Sequence, residues 1–209
     1  MFLLILTCFI PTILFFLIFL FAIKDFKIRY GLLSIFLGLL CLIPIAILQY
    51  FLIKFSIFNA NTLFSALITA LFFNSLVEET MKMFAIQLFP AKKLNIQVFF
   101  AMALLTGLAL GCFESIIYLL GGQQQIWQRI ITAVLLHASC AGLSSIAVWS
   151  SKQGKGKKTP FILAILLHGI YNFFAGFSGG FWWFSIVAIL LTVLECRIWY
   201  KKITTEITD

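Results

Sequence analysis

Charge is what this chain has least of: 11% of its 209 residues are charged against 63% hydrophobic, and its mean hydropathy is +1.11. So little polar surface cannot cover a water-soluble globule, and the composition predicts a polytopic membrane protein folded as an all-α helical bundle. No CxxC pair and no Cys/His metal spacing occurs. The five cysteines, Cys8, Cys41, Cys112, Cys140 and Cys196, stand singly in apolar runs, which makes them small packing residues and excludes a zinc-finger or dithiol framework. HExxH is absent as well, which removes the usual zincin argument. No connector is long enough for a soluble domain, since even residues 151–159 make only a short basic loop, so any chemistry must occur within the bundle. The net charge of +8 would suit nucleic acid in a soluble protein, but here it has a topological origin, and no nucleic-acid partner is expected.

What the chain does have is a series of apolar runs of transmembrane length. They fall at about 2–23, 31–53, 62–89, 98–120, 130–150, 160–177 and 181–200, predicting about seven transmembrane helices in a single integral membrane domain over 1–209. The connectors alternate in charge. Lys24, Lys27 and Arg29 are followed by Lys54 alone, Lys92 and Lys93 by Arg129 alone, and Lys152, Lys155, Lys157 and Lys158 by an uncharged Gly/Ser hairpin, before Arg197, Lys201 and Lys202. The positive-inside rule then puts the N-terminus outside and the C-terminus inside. Trp127, Trp149, Trp182, Trp183 and Trp199 fall at span ends, where an indole suits the headgroup layer. The first run lacks a basic segment before it and a small-residue cleavage site after it, so it reads as a retained helix and not a removed signal.

Polar residues inside the spans stand out against this background, because an Asp, Lys or Arg at a helix centre costs roughly 2.5–3.5 kcal/mol on insertion scales. The third span carries Glu78, Glu79 and Lys82, with both carboxylates within a turn of the ammonium, so Lys82 can neutralise one and leave the other available. The fourth carries Glu114 and Tyr118 four residues apart, preceded by Gly107 and Gly111 on nearly the same face, a small-residue approach surface. The fifth places His137 between Ala133 and Ala141, and the sixth places His168 between Ala164 and Asn172, again at four-residue spacing, so these faces are expected to point inward. Counting along the helices brings the groups together between the midplane and the outer leaflet, within a motif-bearing core at 75–175. Taken singly, each group has a plain structural reading, as an interhelical hydrogen bond or a neutralised pair; their concentration on four successive spans is what points to a functional centre.

A carboxylate in dry surroundings is suited to take a proton from water and later give it to a leaving group, so hydrolysis is chemically available. Imidazoles and an amide beside it can stabilise an oxyanion, or His and Glu can hold a divalent metal ion.

EExxK at 78–82, FExxxY at 113–118, the isolated His137 and HxxxN at 168–172, in this order on successive spans, resemble the PrsW-type intramembrane proteases. These belong to a wider group that includes the CAAX prenyl endopeptidases and bacteriocin-processing membrane proteins. The resemblance covers about half of the chain and implies an endopeptidase of a bacterial cytoplasmic membrane. Its partners would be the lipid bilayer and a membrane-anchored protein substrate, such as an anti-sigma-factor-like single-span protein. It implies Glu78 as the water-activating base, with Glu79 and Lys82 in support. His137, His168 and Asn172 would bind water, oxyanion or metal, and Glu114 and Tyr118 would complete the site. Metal-free and metal-assisted versions both stay open, zinc being the candidate ion and Glu114, His137 and His168 the candidate ligands. The prenyl-protease motifs EExxxR and FxxxH are not matched, so CAAX processing is disfavoured and the substrate is unassigned.

Three other readings compete. GxSxG at 176–180 suggests a serine protease, but no histidine follows Ser178 and the motif sits in a glycine-rich turn. Intramembrane Glu, His and Lys would also suit a proton-coupled small-solute transporter, although no repeated halves or paired broken helices are evident. A noncatalytic scaffold could bind transmembrane helices through the same polar groove.

Overall fold

Helices account for nearly all of the apolar runs. The structure is a computed structural model that describes residues 2–54, 62–122 and 126–208, and no strand occurs among them. Helix α1 spans Phe2–Ala22 with a break at Phe9, just before Pro11; α2 spans Ile28–Lys54 and contains Pro44; α3 spans Leu63–Gln87. Then follow α4 at Ile96–Leu120, α5 at Ile126–Lys152 with a break at Thr132, α6 at Thr159–Ala175, and α7 at Trp183–Thr208 after a short 3₁₀ turn. The side chain of Lys54, one of the residues in the charge count, lies outside the described residues.

Six of these segments are long and apolar enough to cross a membrane, while the 17-residue α6 is the shorter apolar helix. At 1.5 Å per residue α6 reaches about 25 Å, short of a hydrocarbon core of about 30 Å. The middle of α3 is not α-helical: Thr69–Ser75 forms a π turn immediately before the EExxK segment.

The most buried helices, α4 and α5, form the centre. α4 packs between α2 and α5, and α6 lies against α5, α7 and the π turn of α3. The close approach of α4 to α5 depends on the predicted glycine pair. A Cβ at Gly107 would lie 2.3 Å from the His137 carbonyl oxygen, and one at Gly111 would lie 3.1 Å from His137 Cδ2. Gly169 does the same for α6, since a Cβ there would come within 2.4 Å of Leu71 Cδ2 in the π turn. These contacts bring His137 and His168 toward α3.

All five cysteines are free and buried, as their apolar settings predict. Trp127 and Trp183 are exposed at helix ends, but Trp149 is buried with its ring 5.2 Å from that of Phe99. Its span-end position thus reflects packing. Glu195 on α7 is a further acidic residue within an apolar helix, and it is only partly buried.

Candidate active site

Four helices deliver one connected set of charges. α3 supplies Glu78, Glu79 and Lys82, and the latter two have no exposed surface. Of the two carboxylates within its reach, Lys82 neutralises Glu79: its Nζ lies 2.5 Å from Glu79 Oε1. Glu78 is thereby left without an ammonium partner. Its Oε1 accepts a hydrogen bond of 3.0 Å from Gln49 Nε2 on α2, while its Oε2 is buried and has no hydrogen-bond partner among the described residues.

Two imidazoles face that oxygen. His168 Nε2 lies 3.5 Å from Glu78 Oε2 and His137 Nδ1 lies 4.0 Å from it. Each ring is fixed from its other nitrogen by a carboxylate: His168 Nδ1 is 2.6 Å from Glu79 Oε1, and His137 Nε2 is 2.7 Å from Glu114 Oε2. A neutral imidazole carries one N–H and one lone pair, so donating to these carboxylates turns the lone pairs toward Glu78. The His137 lone pair also receives Lys82 Nζ at 3.2 Å. The two rings meet edge-on with centroids 4.9 Å apart.

This is an acceptor-rich centre that calls for a cation or for protons. Ligand atoms of Glu78, His137 and His168 all lie within 4.8 Å of one another, and each imidazole has the carboxylate support that metal-binding histidines ordinarily receive. The donor set and the orphaned Oε2 therefore fit a divalent metal ion. Glu114, a candidate ligand on sequence, approaches His137 from the side away from Glu78 and is absent from the converging set. A second set, Glu79, Cys140 and His168, also converges within 4.8 Å, but His168 Nδ1 already meets Glu79 and the Cys140 thiol lies 3.6 Å from the Ala164 carbonyl oxygen.

Tyr118 and Asn172 do not join the buried cluster. Tyr118 is 37% exposed, with the Arg129 guanidinium 3.7 Å above its ring, and it shares a cavity of about 150 Å³ with Gln49, Glu78 and Glu114. Asn172 is one turn beyond His168 and lines a separate, larger cavity. Ser178 is exposed in the turn before α7, and both histidine rings are engaged elsewhere, so no Ser–His pair forms.

Two polar residues of the site were not evident from sequence. Arg129 forms a 3.1 Å ion pair with Glu114 Oε2, extending the charge chain to the bundle end. A lone basic residue in a connector signals topology and nothing more. Gln49 has no motif around it, and only the packing of α2 against α3 gives it a role.

Fold and cluster together define a polytopic membrane protein with a carboxylate–imidazole centre enclosed by its helices. The family model described as PrsW family intramembrane metalloprotease matches residues 27–195, and the chain belongs to that family. This makes it an integral membrane protein of an intramembrane protease family, and all the cluster residues lie within the matched region. No curated protein and no solved structure matches the chain.

Proposed function

We propose that this chain cleaves peptide bonds of membrane-anchored proteins with a water activated by Glu78. The observation that carries the reading is Glu78 Oε2, buried without a partner and opposed by two imidazoles whose far nitrogens are held by carboxylates. A water at this position donates one hydrogen to Oε2 and the other to His168 Nε2, leaving its oxygen lone pairs free to attack. As the water oxygen bonds to the scissile carbonyl carbon, Oε2 takes its proton; the C–N bond then breaks and the proton passes to the leaving amine.

Glu78, His137 and His168 are the residues that would hold a divalent ion, and with it bound Oε2 would be a ligand, so the proton transfer to Oε2 described above belongs to the ion-free site. When bound, such an ion lowers the pKa of coordinated water and polarises the scissile carbonyl. Ligation through His137 Nδ1 would use the lone pair that Lys82 approaches, and would leave Lys82 with Glu79 alone. Glu79 orients His168, and Glu114, braced by Arg129, orients His137. Asn172, one turn from His168, lies outside this cluster and would meet the substrate chain in the neighbouring cavity. Tyr118 closes the rim beside Arg129. With the N-terminus outside, as the charge pattern predicts, the centre would face the extracytoplasmic half of a bacterial cytoplasmic membrane, where an anti-sigma-factor-like single-span protein is the kind of substrate to supply.

The test compares wild type and Glu78→Gln in proteoliposomes on a panel of single-span membrane proteins, with and without a chelator. The expected result is cleavage by the wild type alone; loss of that cleavage on chelation assigns it to an ion-loaded centre, and its persistence to the Glu78-activated water. A wild type that cuts nothing, or a Glu78→Gln variant that cuts equally well, overturns the reading. Proton-gradient-dependent solute flux lost in the same variant would favour a transporter.

A further inference from the structure

Beside the cluster lies a cavity of about 500 Å³, bounded by the first half of α3 and the last turns of α6. Its volume is within the range of pockets that hold short ligands. Two carboxamides line it: Asn74, four residues before Glu78, and Asn172, four residues after His168. The cavity is thus flanked by residues about one turn from each of the two groups that face each other across the centre. Asn74 belongs to the π turn at Thr69–Ser75, an irregularity frequent at functional sites.

Neither carboxamide has a hydrogen-bond partner among the described residues. Both are partly exposed to the cavity, and a polar side chain so placed on a membrane helix is satisfied by water, other helices or a ligand. Each carboxamide offers both a donor and an acceptor, which is what an extended peptide unit needs on its N–H and C=O. A helical substrate has already satisfied those groups within itself. Only an unwound segment presents them, and only an unwound segment exposes a scissile carbonyl. The walls suit such a chain: Ala66, Ala70 and Gly176 leave room, and Phe173 and Phe177 offer aromatic surface.

We propose that this cavity is the substrate cleft. An extended stretch of a membrane-anchored peptide lies between α3 and α6, and Asn74 is the positioning residue that grips its backbone and delivers the scissile carbonyl toward Glu78. The inference rests on the proteolysis reading above and adds where the substrate lies and in what conformation.

A photoreactive phenylalanine analogue placed at position 66 or position 42, in the Glu78→Gln background, tests this on the same single-span panel. Position 42 lines the smaller cavity, which Gln49, Glu78, Glu114 and Tyr118 also line and which is therefore the rival place for the substrate. Crosslinking from position 66 to the proteins that wild type cuts, with position 42 silent, is the expected result; the reverse pattern overturns the cleft. Kinetically, Asn74→Ala is expected to raise KM about three- to tenfold, the worth of one hydrogen bond, while kcat stays within about twofold and bound-ion content is unchanged. An unchanged KM overturns the role of Asn74. A wild type that cuts nothing while position 66 still crosslinks removes the proteolysis reading but keeps the cleft as a peptide-binding site. A wild type that cuts while position 66 is silent does the opposite.

Discussion

His168 Nδ1 sits 2.6 Å from Glu79 Oε1, and that contact sets which way the ring presents its other nitrogen. The same oxygen takes Lys82 Nζ at 2.5 Å, so one carboxylate both neutralises a fully buried ammonium and orients an imidazole.

Glu79→Gln should therefore have two separable effects. It strands Lys82 as an unpaired buried charge, which costs about 3–5 kcal/mol of stability in denaturant or thermal unfolding in detergent. It also loosens His168, lowering metal affinity about 10- to 100-fold. Adding Lys82→Met should restore most of the stability and none of the affinity. Recovery of both would mean that Glu79 is only a counter-ion.

Gly107→Ala places a methyl group 2.3 Å from the His137 carbonyl oxygen, so α4 and α5 must separate. The expected cost is about 1–3 kcal/mol, accompanied by loss of cleavage, because the displaced helix carries His137. Retention of full activity would show that the helix spacing has slack.

Arg129→Gln removes the ion pair that braces Glu114 at the edge of the site. The residue is partly exposed, so stability should change by less than about 1 kcal/mol, while metal affinity falls up to about tenfold and Arg129→Lys recovers part of it. Equal affinity in all three proteins would assign Arg129 to topology alone.

Ser178→Ala should leave cleavage intact, since the hydroxyl lies in an exposed turn without a histidine partner. Complete loss of cleavage in that variant would point to a serine nucleophile.

The bundle itself was legible because hydropathy reports burial in lipid directly, and because four-residue spacing puts small residues beside His137 and His168 on inward faces. Gly107 and Gly111 likewise form the close-approach surface their spacing predicts, and the structure shows α5 to be the helix that meets it. Which carboxylate Lys82 takes was not legible, since both Glu78 and Glu79 are within a turn of it, and only the packed structure shows Glu79 paired with both Lys82 and His168. The same holds for Gln49 and Arg129, whose partners lie 29 and 15 residues away and meet them only by helix packing. Asn172 shares a face with His168, but one turn of helix moves it out of the buried cluster and into the neighbouring cavity. The π turn in α3 has no compositional signature of its own.

The most direct test of the account is the metal content of purified wild type and of Glu78→Gln, His137→Ala and His168→Ala, each reconstituted with zinc and then freed of loosely bound ion. The account predicts close to one ion per chain in wild type and loss of that ion in each variant, with the helical content of all four proteins unchanged. A wild type that binds no ion, or an ion retained in all three variants, would contradict it.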